Sequence, residues 1–265
     1  MPTSPHMINL SGKRAVIFGV ASEESIAWAI AKRLAAAGAT ICLGYQQRFK
    51  SRILQLVRSA EIEVEYYERC DVTSEEELKT FFDGMPKPVD ILVHSIAFAN
   101  PETFSQRVHE VSQAHFAEAL VASSYSLLPL VRHCRPHFAP DASVMTLSYL
   151  GGQRVVSNYK LMGIAKAALE ASVRELASDV GQDSVRVNAI SAGPIRTLAA
   201  SQIAGFNDML QVYESVAPLR RSITQDDVAD MALFLGSDLS RNVSGQTLFV
   251  DAGYSTLAMA ELERQ

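Results

Sequence analysis

The sequence predicts a doubly wound α/β fold, a mainly parallel sheet of seven strands with helices on both faces. Three observations carry that reading. Strand-like apolar runs alternate with helical segments along the chain, which implies parallel pairing through right-handed crossovers. Several runs are apolar throughout, as strands covered on both faces are. No Pro-, Gly- or Ser-rich linker, internal repeat or low-complexity tract interrupts the 265 residues, so residues 1–265 read as one domain.

The elements follow in order. Arg14–Phe18 is a short β-branched run ending at Gly19, and Ser25–Ala37 has helical apolar spacing up to Gly38, a natural C-terminal stop. Thr40–Tyr45, Glu63–Tyr67, Val89–Val93, Ser143–Leu147, Val185–Ile190 and Gln246–Val250 supply the other strands. Gln47–Arg58, Ser74–Phe82, Ser112–Cys134, Asn158–Val180 and Thr224–Leu235 are the predicted helices between them. The acidic run Glu61–Glu68 reads as a solvated strand edge.

Composition narrows the class. With 48% hydrophobic and 20% charged residues, the chain is ordinary globular material. A net charge of −5 argues against a surface built for nucleic acid or anionic lipid. Cys42, Cys70 and Cys134 lie outside metal-ligand spacing and read as free thiols of a reducing compartment. Met1–Leu10 lacks the pattern of a signal peptide, and the uncharged runs Ala119–Val131 and Leu34–Tyr45 are short of a membrane span. The expectation is a soluble cytoplasmic protein.

Candidate chemistry begins after the first strand, at Gly19-Val-Ala-Ser-Glu-Glu-Ser25-Ile26-Ala27. Glycine at a strand end permits a tight turn, and the next helix offers free N–H groups and a positive dipole end to a pyrophosphate. Ser25 is placed to cap the helix or to give its hydroxyl to a phosphate. An ordinary βα turn explains the loop about equally well, since the second and third glycines of the dinucleotide fingerprint are absent. The second strand ends at Tyr45-Gln46-Gln47-Arg48. There Gln46 suits a ribose and Arg48 a 2′-phosphate, leaving NADH and NADPH both open. Asp71-Val72 falls where an adenine would lie, although Asp71, Thr73 and Ser74 are also plain helix-start residues. His94-Ser95-Ile96-Ala97 closes the fourth strand with residues small enough for close backbone approach.

The most informative stretch runs from Thr146 to Ala167. Tyr159 and Lys166 are seven apart, two helical turns, which predicts a shared face. A lysine near a phenol favours phenolate and strengthens the phenol as hydrogen-bond donor or acid, and Tyr149 at the fifth strand's end adds a second hydroxyl. A half-buried aromatic and a solvated lysine are the commoner fate of such a pair. Position beyond the fifth strand, beside the cleft at the strands' carboxyl ends, favours function.

These motifs resemble those of the short-chain dehydrogenase/reductases, specifically the bacterial type I enoyl-[acyl-carrier-protein] reductases. The matching residues include Gly19 to Ala27, Tyr45-Gln46, Cys70-Asp71-Val72, His94-Ser95-Ile96, Leu147 to Gly151, Asn158-Tyr159 to Lys166-Ala167, Val187 to Ala200, Ser244-Gly245-Gln246 and Val250-Asp251. They run in order across nearly the whole chain, and Tyr-x6-Lys is the specific spacing. Carbonyl-reducing relatives carry Tyr-x3-Lys, a register that lands here on Gly163.

The resemblance implies a Rossmann-like fold and NADH-dependent reduction of the trans-2 double bond of enoyl thioesters on acyl carrier protein. It implies Tyr159 as donor to the thioester oxygen, Lys166 on the nicotinamide ribose, and Tyr149 in support. Gly19, Ser25, Ile26, Gln46, Asp71, Val72, Ser95, Ile96, Ile195, Arg196, Thr197, Leu198 and Ala199 would line the cofactor. Ala99, Met162 and Phe206, with both tyrosines, would meet the acyl group, and 196–217 would form a lid. A homotetramer is expected, with no metal, nucleic acid or membrane partner. Three departures stand out: Ala97 and Ala252 replace usual glycines, and Gln202–Asp208 carries no lysine or arginine where some relatives have several. The rivals are a carbonyl reductase of the same fold and a non-catalytic cofactor sensor. Retention of both Tyr159 and Lys166 counts against the sensor.

Overall fold

The computed structural model describes residues 8–197 and 206–258. Strands β1 (Arg14–Phe18), β2 (Thr40–Tyr45), β3 (Val64–Arg69), β4 (Val89–His94), β5 (Phe138–Tyr149), β6 (Arg186–Ala192) and β7 (Thr247–Val250) form one sheet in the order β3-β2-β1-β4-β5-β6-β7. Every neighbouring pair is parallel. The order reverses between β1 and β4, so a crevice opens beyond their carboxyl ends, where ligands of such sheets bind.

Helices α1 (Ile26–Ala36), α2 (Lys50–Ser59), α3 (Glu75–Gly84), α4 (Gln113–Leu120), α5 (Leu127–Cys134), α6 (Leu161–Gly181), α7 (Phe206–Val216) and α8 (Gln225–Gly236) are the described α-helices. The apolar-throughout strands are explained by the two-residue period of a strand. In β1, Ala15 and Ile17 enter the core under α1 and α8 with Trp28, Leu34 and Leu235. Val16 and Phe18 enter the opposite core with Phe81, Leu127 and Leu169 from α3, α5 and α6.

Two expectations need correction. The helix predicted over Ser112–Cys134 is α4 and α5 joined by a π turn at Val121–Tyr125. Pro129 cannot donate to the carbonyl four residues earlier, and the Ser126 N–H instead reaches back five residues to Val121 at 3.0 Å. By length and composition the helical run Gln113–His137 is long and apolar enough to cross a membrane, although the uncharged stretch within it, Ala119–Val131, is short of a span. In this fold its residues Leu127, Leu130, Val131 and Cys134 are buried in the core. Finally, α6 begins at Leu161 and not at Asn158, because Asn158 and Lys160 adopt φ of 65° and 43°, which breaks the helical path.

Candidate active site

At the phosphate end, Gly19 turns the chain at φ +104°, and a Cβ there would sit 1.9 Å from the Ser95 carbonyl oxygen. The turn after β1 therefore packs directly on the backbone after β4, and only glycine fits. Ser25 occupies the N-cap of α1, but its hydroxyl donates to the Ser22 carbonyl at 2.6 Å and caps nothing. No acidic residue stands in the first turn of α1, and the buried Ser22 hydroxyl has no partner. Uncapped N–H groups, a spare hydroxyl and a first turn free of carboxylates together fit a phosphate, although Glu23 and Glu24 immediately precede Ser25.

The adenosine end is drawn together by the Gln46 amide, which donates to Asp71 across 3.4 Å. The other Asp71 oxygen accepts from the Thr73 N–H at 2.9 Å, and Ser74 caps α3, so the helix-start reading holds as well. Val72 is buried in the core. The Arg48 guanidinium lies over the rings of Phe49 and Phe98, 4.8 and 5.8 Å from their centroids, a cation–π arrangement. The chain thus presents dinucleotide-compatible groups at the carboxyl ends of β1, β2 and β4 and just beyond β3.

At the other side of the crevice, the rings of Tyr149 and Tyr159 meet edge to face, 4.7 Å between centroids. Gly151 makes this possible, since a Cβ there would lie 2.3 Å from the Tyr159 ring. Burial pushes the Tyr149 phenol up to about 12, and burial with the neighbouring Tyr149 raises Tyr159 as well. Lys166 is buried, and its Nζ donates to the Leu147 carbonyl at 2.7 Å. Burial lowers the lysine to about 8, with Glu170 acting in the opposite direction. Two expectations are thereby corrected. Tyr159 precedes α6, so a turn and not a helical face relates it to Lys166. The phenol is held neutral, not turned to phenolate, by desolvation and by the neighbouring Tyr149.

Ala99 and Met162 are buried in one apolar cluster, with Tyr159, Phe104 and Leu120 packed against it. Ile96 packs against the core beside Val72, whereas Ala97 is exposed. Ile195 is buried after β6, Arg196 is exposed, and Thr197 is half-buried. Leu198 and Ala199 fall outside the described residues, as does the side chain of Phe206. From α7, Met209 reaches the Tyr149 hydroxyl, Sδ to oxygen 4.0 Å. Among the described residues no three His, Cys, Asp or Glu are grouped to hold a metal ion.

Sequence reasoning missed three supporting groups. His94 is fully buried between the hydroxyls of Thr146 and Ser126, at 2.7 and 2.8 Å, and burial pushes it down to about 3. The Ser123 hydroxyl accepts from the Phe98 N–H at 2.8 Å and donates to the Phe98 carbonyl at 2.9 Å. Glu170 lies buried one turn beyond Lys166. The lysine-plus-four spacing was the one available signal for Glu170. The other two depend on the π turn, which the sequence marks only through Pro129.

Comparison with known proteins agrees with this geometry. The family model described as Enoyl-(Acyl carrier protein) reductase matches residues 19–255. The NADH-dependent enoyl-[acyl-carrier-protein] reductase FabI of Nostoc is 45% identical over 260 residues, 96% of this chain and all of that protein. FabI of Escherichia coli is 44% identical over 259 residues, 96% of this chain and 98% of its own length. The Bacillus cereus enoyl-acyl carrier protein reductase, solved with NADP+ and indole naphthyridinone, superposes with a TM-score of 0.91 at 43% identity, covering 96% of this chain and 100% of that one. The Anaplasma phagocytophilum enzyme, solved with NAD, gives 0.89 at 40% identity, covering 96% and 97%. On fold, crevice and near-complete coverage alike, this chain belongs to the enoyl-[acyl-carrier-protein] reductase family.

Proposed function

We infer that this chain reduces the trans-2 double bond of enoyl thioesters on acyl carrier protein with NADH, the last step of the fatty acid elongation cycle. The observation that carries the site assignment is the pair of touching phenols, Tyr149 and Tyr159, beside a crevice backed by the buried Lys166. NADH, when bound, supplies a hydride to the β-carbon of the substrate.

Negative charge then develops on the thioester oxygen, and a neutral phenol aimed there stabilises it as an oxyanion-hole donor does. Tyr159 is that donor. Its raised pKa keeps the proton on the phenol at neutral pH, which suits donation and disfavours a role as base. Tyr149 supports it, and a proton added at the α-carbon completes the saturated thioester. Lys166 is fixed through one of its three N–H groups to Leu147, leaving two for the nicotinamide ribose. Gly19, Ser25 and Ile26 hold the pyrophosphate; Gln46, Asp71 and Val72 hold the adenosine; Ser95, Ile96 and 195–199 flank the nicotinamide side. Ala99, Met162 and Phe206 receive the acyl chain under a lid at 196–217. Arg48 leaves NADPH as a second cofactor. The assembly is a cytoplasmic homotetramer, and carrier docking draws on no lysine or arginine within Gln202–Asp208.

The test is NADH oxidation at 340 nm with a short enoyl thioester. Wild type is expected to turn over. Tyr159→Phe should lose about 10²–10³-fold in kcat with NADH affinity retained, and Lys166→Ala should lose NADH affinity. Activity on a 3-oxo thioester with none on the enoyl substrate would move the chain to the carbonyl reductases. NADH binding without turnover on either would leave the sensor reading.

A further inference from the structure

Glu170 is a buried carboxylate with no assigned role, 4% exposed and one turn beyond Lys166 on α6. Its Oε1 accepts from the Ser148 hydroxyl at 2.6 Å, and its Oε2 accepts from the Gln153 amide at 2.9 Å. Ser148 lies between Leu147, which anchors Lys166, and Tyr149. Gln153 belongs to the loop that leads from β5 to Tyr159. The helix approaches this loop so closely that a Cβ on Gly152 would sit 2.9 Å from Glu170 Oε1 and 3.1 Å from the Lys166 carbonyl carbon.

Both bonded partners are neutral, and Glu170 joins none of the ion pairs among the described residues. Burying a carboxylate on neutral donors alone is costly unless a charge nearby offsets it. Lys166 is the cation its field reaches. We propose that Glu170 is a positioning residue of the reductive site, tying together the segments that carry Tyr149, Tyr159 and Lys166 and keeping Lys166 an ammonium for the cofactor. The proposal rests on the reading above only for the cofactor.

The other titratable groups around Lys166 leave this pairing intact. His94 on β4 is pushed down to about 3 by burial and by Lys166 itself, so it is neutral near pH 8. Tyr149 on β5 and Tyr159 before α6 are raised and neutral in the same window. Arg174, one turn further along α6, donates to the Glu170 main-chain carbonyl.

The experiment is direct NADH binding by fluorescence, without enoyl substrate, from about pH 6.5 to 9.5. Wild-type affinity should fall as pH rises through the lysine's titration near 8. Glu170→Gln should move that fall lower by about one pH unit and weaken binding roughly fivefold at pH 8. Ser148→Ala, which removes a hydrogen bond and no charge, should keep the wild-type midpoint. A wild-type midpoint in folded Glu170→Gln overturns the proposal. If Glu170→Gln does not fold, Glu170→Asp decides: its retained charge should hold the midpoint within about half a unit, and a fall of a full unit overturns it. A wild type that binds no NADH at any pH overturns the cofactor reading and the proposal with it.

Discussion

The two sides of the crevice are built by opposite means. The turn after β1 uses backbone: Gly19 takes φ +104°, which glycine adopts without steric cost, and no side chain caps the α1 N-terminus. The turn before α6 uses side chains, and places non-glycine residues at φ 65° (Asn158) and 43° (Lys160) on either side of Tyr159. Such conformations cost on the order of 1–2 kcal/mol each, less for asparagine. A phosphate is bound by N–H groups that any sequence supplies, so close approach is the requirement there. A phenol must be aimed, and backbone strain is tolerated where it fixes the aim.

Three measurements would break or sharpen this contrast. The largest effect is expected from Gly19→Ala, which puts a methyl within 1.9 Å of a main-chain oxygen at a φ alanine rarely adopts. It should destabilise the fold by about 3 kcal/mol or more and abolish NADH binding, as read by urea unfolding and fluorescence titration. A stable, cofactor-binding Gly19→Ala protein would show that the backbone approach is dispensable.

His94, at the seam between the two sides, gives the second test. Its folded pKa of about 3 lies below its ordinary 6.5, so the unfolded chain binds the extra proton between those values. Stability should therefore fall as pH drops below about 6.5, by about 1.4 kcal/mol per unit from this group. Urea unfolding of wild type beside His94→Gln, at a series of acidic pH values, should show a steeper acid loss in wild type. Equal slopes would remove His94 from the account.

The smallest effect concerns Lys160→Gly. Relief of the strained φ, worth about 1 kcal/mol, offsets loss of the Lys160 Nζ bond to the Gln106 carbonyl at 2.8 Å. Stability should change by less than about 1 kcal/mol, while kcat falls several-fold and NADH affinity holds. An unchanged kcat would mean that the strain does not aim Tyr159.

Much of this was legible in the sequence because it depends on local signals. The strand positions follow from apolar runs bounded by turns, and Gly19 and Ser25 announce a βα turn by type alone. Tyr159 and Lys166 stand out through spacing and resemblance, and Asp71, Thr73 and Ser74 through helix-start chemistry. The boundary at Leu161 was not legible, since nothing in Asn158-Tyr159-Lys160 states that two of the three take positive φ. Nor was the π turn, whose trace is a single proline in an otherwise helical pattern.

By itself, the sequence determined the α/β class, the strand and helix order, the family and the residue types that bring chemistry, because those reside in periodicity and motif. Only the tertiary structure decided their protonation states and their supports. Tyr159 is a neutral phenol and Lys166 is held near 8 because of what surrounds each group, and Glu170 is supported by Ser148 and Gln153. Desolvation and hydrogen-bond partners come from residues distant in the chain, and no local pattern encodes them.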